Sequence, residues 1–398
     1  MNTHNPIQIA APFDAPNSNR TGPYFLSGFQ SIAPRFRTTQ KDGLSWLVDA
    51  HVRAETPHPR SLSLGQRDGV RGDIEAMFER YGASAEHIDA RGHELADFTH
   101  RRWDEMTLFG PKGSDLGQKT RFFDERVREI FERFYPLDAA APRTLVHVTC
   151  TGYASPSGAQ RLVSTRDWGR QTQVLHAYHM GCYAAHPAIR IASGLGEADV
   201  VHTELCTLHL DPSRHEPAHV VIQSLFADGF IKYQLMDTAR MKEQGLDGLE
   251  ILAARDEIIP DSTEAMAWET GPLYFTMKLS KEVPVLFASA LPRFVAALFE
   301  EAGLDWPREK AKTVFAVHPG GPRIIELSQR ILGLAQEQVR WSRQVLREHG
   351  NMSSATLPHI WQQILLDESI PNETVIISLG AGPGLTLSGM VFRKRSGT

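Results

Sequence analysis

Three residues combine reactive groups with positions at the mouths of predicted elements. Cys182 stands in His179-Met-Gly-Cys-Tyr-Ala-Ala185, after the apolar run 174–178 and at the start of a small-residue helix predicted over 183–193. A helix N-terminus carries about half a positive charge and free N–H groups, which lower a thiol's pKa and can hold an oxyanion. The plainer reading is a buried, inert cysteine. His318 ends a second apolar run, Thr313 to Val317, before Pro-Gly-Gly-Pro, where glycines let a ligand approach the backbone. A satisfied core histidine is the commoner case for one histidine among 17. Asn351, in Gly350-Asn-Met-Ser-Ser354, is either a helix N-cap or an amide donor to a carbonyl or enolate oxygen. A thiol, an imidazole and an amide so placed make a set for acyl transfer.

The elements that must position these residues alternate in type. Strands are predicted from Tyr24 to a stop at Pro34, over 145–148, 174–178 and 198–206, after 224–230, over 313–317 and 374–379, and in a last run ending near Phe392. Residues 71–135 read as mostly helical, with Phe122, Val127, Ile130, Phe131 and Phe134 at core-packing spacing. Helices are also predicted at 158–163, as one long segment over 323–346, and after 349–354. The stretch 236–275 reads as a mixed connecting excursion. Gly380 to Gly384 falls between two strands rather than before a helix, which marks it as cavity scaffolding and not a nucleotide loop. Strand–helix alternation in both halves implies an α/β fold.

Composition narrows the class. At 398 residues the chain holds two or three domain-sized units or one duplicated fold. Its 41% hydrophobic and 22% charged residues suffice for a large core and exclude general disorder. A net charge of −5 argues against a nucleic-acid binder. Three cysteines, Cys150, Cys182 and Cys206, cannot form a disulfide framework and fit a reducing, cytoplasmic setting. The first 22 residues read as a flexible tail without a secretory pattern. The most apolar later stretch, Val283 to Phe299, is interrupted by Pro292 and Arg293 and reads as too short for a membrane span.

The order Cys…His…Asn also occurs in papain-like proteases, and the 136 residues from Cys182 to His318 fall in that family's window of about 130–150. The papain signature around the cysteine is absent. Six segments instead resemble type III polyketide synthases, the chalcone synthase-like branch of the thiolase superfamily. They are Thr149-Cys-Thr-Gly-Tyr-Ala-Ser-Pro-Ser-Gly158, His179 to Ala185, Phe226-Ala-Asp-Gly229, Val317-His-Pro-Gly-Gly-Pro322, Gly350 to Ser354, and Gly380-Ala-Gly-Pro-Gly-Leu-Thr386. The resemblance runs from about Tyr24 to Lys394.

This resemblance implies a thiolase-like fold, a duplicated αβαβα unit in five layers. It divides the chain into the tail 1–22, an N-terminal half 23–245 with Cys182, and a C-terminal half 246–398 with His318 and Asn351. It implies a homodimer, and substrates that are CoA thioesters, malonyl-CoA and an acyl-CoA, with no metal or redox cofactor. Cys182 is then the nucleophile that holds the acyl starter. His318 helps keep it as thiolate, and His318 with Asn351 stabilises the enolate left when a malonyl unit loses CO₂. Phe226, Gly380, Gly382, Pro383 and Gly384 fall in the substrate-binding wall.

Departures from the plant pattern bear on the substrate. Leu210 and Met277 fall where plant enzymes place gatekeeper phenylalanines, which suits a long aliphatic or other non-aromatic chain. Cys150 replaces a threonine that lines the cavity, in a form resembling bacterial enzymes, and core packing is an equally good reading. Of the basic cluster that binds CoA only Arg80 is matched, which leaves room for an acyl carrier protein as the starter's donor. The expected products are pyrones, resorcinols or phloroglucinols. The alternatives are a single-condensation ketosynthase III-like enzyme and, more distantly, a Cys-His-Asn hydrolase.

Overall fold

The computed structural model describes residues 22–56, 63–110 and 114–397. The tail expected over 1–22 lies outside them except for Gly22. Thirteen strands occur among the described residues: β1 (Tyr24–Ile32), β2 (Phe36–Thr39), β3 (Ala90–His93), β4 (Thr144–Thr149), β5 (Gln173–Tyr178), β6 (Ala198–Leu205), β7 (Asp228–Asp237), β8 (Gly248–Ile258), β9 (Met266–Thr270), β10 (Phe275–Leu279), β11 (Val314–Val317), β12 (Val375–Gly382) and β13 (Thr386–Arg395). Nine form one mixed sheet in the order β11-β12-β13-β8-β1-β7-β6-β4-β5, and β2–β3 and β9–β10 are separate ribbons.

The strand order contains a duplication. From the seam outward, β1-β7-β6-β4 on one side matches β8-β13-β12-β11 on the other. In each half the seam strand is antiparallel to its neighbour, the next pair is antiparallel, and the outer pair is parallel. Only β5 lacks a counterpart. The halves meet in a short antiparallel pairing, Phe25 with Glu250 and Leu26 with Leu249.

Two buried helices lie between the halves. Helix Ala185–Leu195 touches β4 and β6 of one half and β13 of the other, and Thr356–Leu366 touches β11 and β7. Ala185, Ala188 and Ala192 fall on one face of the first, and their small side chains let the layers close together. Outer helices Leu116–Phe134 and Gly158–Thr165 cover one half, and Val283–Glu301 and Pro322–Leu332 the other. The result is the five-layer α/β arrangement.

Four sequence expectations need correction. Residues 71–135 are not continuously helical: helices Leu64–Tyr81 and Leu116–Phe134 flank β3 and a long irregular stretch, and Phe123 is buried where Phe122 is only half-buried. The "excursion" over 236–275 contains β8, a central strand. The helix over 323–346 is split at Gly333, whose left-handed φ of +60° ends Pro322–Leu332 before a new helix, Arg340–His349. Finally, Pro292 does not interrupt Val283–Glu301, a helix of 19 residues that is long and apolar enough to cross a membrane by length and composition. Its face with Phe287, Leu291, Phe294 and Leu298 is buried, and the helix packs on β8 and β13, which accounts for its apolar character as sheet packing.

Candidate active site

Cys182 sits on a turn made by unusual backbone. After β5, His179 and Gly181 have φ of +61° and +82°, and the Ala184 amide closes the turn on the Gly181 carbonyl at 3.1 Å. A Cβ on Gly181 would lie 2.6 Å from Cδ of Pro383, so glycine is required by both backbone and space. The Gly181 amide donates to the Cys150 sulfur at 3.0 Å. The His179 ring is held between the Tyr153 hydroxyl and the Trp268 carbonyl. Gly382 admits the next residue in the same way, since a Cβ there would lie 2.4 Å from Tyr183 Cδ1. The C-terminal glycine block thus shapes the Cys182 turn from outside. Of its members Pro383 lines the cavity, while Gly380 and Gly382 back Tyr183. Gly384 provides the φ of +127° that turns β12 into β13.

Asn351 is held by a β-bridge to Phe226: its amide donates to Leu225 O and its carbonyl accepts from Ala227 N, both at 2.9 Å. Its Oδ1 accepts from the Ser353 amide at 2.8 Å, which leaves the side-chain NH₂ as the free donor of this amide, and Asn351 acts on the Cys182 thiol to favour its thiolate form. His318 follows β11, its amide on the Leu379 carbonyl at 2.7 Å. Its ring is buried, and both nitrogens lack a hydrogen-bond partner among the described residues. Buried imidazoles are normally satisfied, and this one is not.

The electrostatics correct one expectation. The helix begins at Ala185, three residues past Cys182, and burial outweighs its field. Burial, followed by the Glu204 carboxylate, pushes the Cys182 thiol up to about 12, although Ser353 and Asn351 hydrogen bonds oppose this. Burial also pushes His318 down to about 3. Burial thus drives both the thiol and the imidazole toward their neutral forms.

Cys182, Cys150, Leu210, Phe226, Met277 and Pro383 line one cavity with about 50 Å³ of free volume. Cys206, read from the sequence only as core, lines it too. A groove of about 730 Å³ shares Asp211, Tyr274 and Thr276 with this cavity. Arg80 is not brought in: it is exposed at the end of helix Leu64–Tyr81, over the Tyr81 ring.

Two important residues escaped the sequence reading. Glu204, fully buried in β6, accepts from the Cys150 amide and Thr151 Oγ at 3.0 Å and from the Ser354 amide and hydroxyl. It ties the Cys150 turn to the Asn351 loop. Trp268 walls the cavity, its indole N–H on the Cys150 carbonyl at 2.7 Å. Glu204 is one of two acids, with Asp199, in the strand read over 198–206, which was its only signal, and Trp268 left none.

Residues 250–396 match the family model of chalcone and stilbene synthases, C-terminal domain. "Probable polyketide synthase 1" of Dictyostelium discoideum is 29% identical over 257 residues, 63% of this chain. The match spans only 8% of that relative's length. Among solved structures, PKS-I from the brown alga Ectocarpus siliculosus superposes with a TM-score of 0.78, 20% identity and coverage of 95% of this chain and 100% of that one. The C-terminal type III polyketide synthase domain of Steely1, a type I/III hybrid from Dictyostelium, gives 0.74 at 20% identity, covering 93% and 99%. The 1,3,6,8-tetrahydroxynaphthalene synthase of Streptomyces coelicolor A3(2) gives 0.73 at 20%, covering 94% and 99%. These likenesses establish the thiolase-like α/β fold. With an amoeba, an alga and a bacterium among the relatives, they do not single out a bacterial branch.

Proposed function

We propose that this protein is a type III polyketide synthase that condenses malonyl units onto an acyl starter held on Cys182. The observation that carries this reading is the Asn351 amide, whose Oδ1 is taken by the Ser353 amide so that its NH₂ is left as a donor acting on the thiol. A hydrolase with this triad would use Asn to orient His. Here the amide is aimed at the reacting sulfur itself, where a thioester carbonyl would lie.

In this reading the neutral thiol gives its proton to neutral His318 as sulfur attacks the starter's thioester, and the departing carrier thiol takes that proton. The malonyl thioester then enters with its carbonyl oxygen between the Asn351 amide and a His318 N–H. Loss of CO₂ puts negative charge on that oxygen, where preorganised donors in a dry site stabilise it. The enolate carbon attacks the Cys182 acyl carbon, forming the new C–C bond and expelling the Cys182 sulfur as a thiolate, which then takes a proton from water or reacts with the lengthened thioester. Chain growth and cyclisation occur in the cavity next to Cys182.

The free volume of about 50 Å³ at Cys182 is small, which favours a short acyl starter and few extensions, while the adjoining groove of about 730 Å³ has room for the long aliphatic chain suggested by Leu210 and Met277. A single condensation is the second reading that this small volume supports. Malonyl-CoA with a panel of acyl-CoAs should release CO₂ and give a cyclic product, and Cys182→Ala should abolish condensation. Unchanged product from that variant would overturn the assignment, and an open-chain product of one condensation would establish the second reading.

A further inference from the structure

Arg91 lies on the β2–β3 ribbon, outside the cavity, yet it is built into the seam that holds the amide. Its guanidinium is buried. Nε donates to Gln40 Oε1 at 2.9 Å, and Nη1 donates to the carbonyls of Gln223 and Phe226, both at 2.8 Å. Gln40 in turn donates through Nε2 to the Ser224 carbonyl at 2.8 Å. These are the carbonyls at the end of helix Pro217–Leu225, which have no partner within the helix and suit a cation. The carbonyl left in this run, Leu225, accepts from the Asn351 amide. The four carbonyls 223–226 are therefore shared among Arg91, Gln40 and Asn351.

The stem of Arg91 reaches Asn351 by a second route. Gly350 has a φ of +74°, and a Cβ on it would lie 2.9 Å from Leu225 O and 3.1 Å from Arg91 Cγ. Arg91 is thus packed under the residue before Asn351 and bonded to the residue paired with it. A lysine, with one point charge on a flexible stem, cannot reproduce the forked contacts to Gln40 and two carbonyls.

We infer that Arg91 is a positioning residue that sets the Asn351 amide and the Phe226 ring through the carbonyls of Gln223 and Phe226. This rests on the reading of Asn351 as the donor to the enolate oxygen. A displacement of about 1 Å at such a donor can cost on the order of 100-fold in rate. Malonyl-CoA decarboxylation at saturating substrate should therefore fall by about 10- to 100-fold in Arg91→Met and by less in Arg91→Lys. Alkylation of Cys182 by iodoacetamide, whose thiolate Asn351 supports only as one of several groups, should slow by no more than a few-fold, and Arg91→Met combined with Asn351→Ala should be no slower than Asn351→Ala alone.

Wild-type decarboxylation in Arg91→Met, multiplied losses in the double variant, or alkylation slowing in step with decarboxylation would each overturn the inference. If Arg91→Met does not fold, Arg91→Lys decides by the same measurements. Full decarboxylation by Asn351→Ala would instead overturn the role of Asn351, a failure recognisable because it appears with Arg91 intact.

Discussion

The amide of Gly181 donates to the sulfur of Cys150 at 3.0 Å, so the residue next to the proposed nucleophile is held by a second cysteine, just past the end of β4. Burial keeps the Cys150 thiol protonated, with its pKa pushed well above the ordinary value. Cys150 thus serves here as a structural acceptor as well as a cavity wall.

Cys150→Ala removes that acceptor and leaves a buried N–H unpaired, at an expected cost of about 1–3 kcal/mol. Cys150→Ser keeps an acceptor and should recover part of this stability. Denaturant unfolding of the two variants checks the point. Equal stability of wild type and Cys150→Ala would show that the contact contributes nothing.

Gly181→Ala should be more damaging to activity than to the fold. The residue must leave a left-handed conformation or push Pro383 aside, a strain of about 1–3 kcal/mol. Either response displaces Cys182. Condensation should fall by about 100-fold, with the far-ultraviolet circular dichroism spectrum retained. Turnover at the wild-type rate would mean that the turn has more freedom than its contacts indicate.

Trp268→Ala should enlarge the cavity and free the Cys150 carbonyl. Longer starters or additional malonyl units should then appear in the products, read by mass spectrometry. An unchanged product distribution would show that Trp268 does not limit chain length.

The outcome for the sequence reading follows from how local each signal is. Cys182 and His318 each follow a short apolar run, and all three residues have a glycine within two positions, which a sequence displays directly. Glu204 does not announce itself, because its donors come from Cys150, Thr151 and Ser354, up to 150 positions away. β8 was hidden by its charges. Glu250, Asp256 and Glu257 look like a polar excursion until Arg395, Arg190 and Arg293 are seen paired with them across the fold. The expected thiolate failed for a related reason: a helix start can be read from residue types, but the depth of burial cannot.

The neutral resting pair has a direct chemical test. A thiol near 12 holds little thiolate at neutral pH, so alkylation of Cys182 in the free enzyme should be slow and rise about tenfold per pH unit from 7 to 9 without levelling. Mass spectrometry of the Cys182 peptide separates it from Cys150 and Cys206. A rate that levels off with a midpoint below pH 8 would demonstrate a standing thiolate and overturn the electrostatic picture.

The same burial fixes the sign of the pH dependence of stability. His318, His186, His202, His209 and His359 are pushed down to about 3, against an ordinary value near 6.5. Between these values the unfolded chain binds protons that the folded chain refuses, so stability is fully present above about 6.5 and is lost as pH falls toward 3. Each such histidine contributes at most about 1.4 kcal/mol per pH unit in this window. The free energy of unfolding should fall steeply from pH 6.5 to 4.5. His318→Gln, which no longer titrates, should reduce that slope by up to about 1.4 kcal/mol per pH unit. Identical slopes for the two proteins would show that His318 takes up its proton in the folded state, and would require an acceptor for the ring that the buried site does not provide.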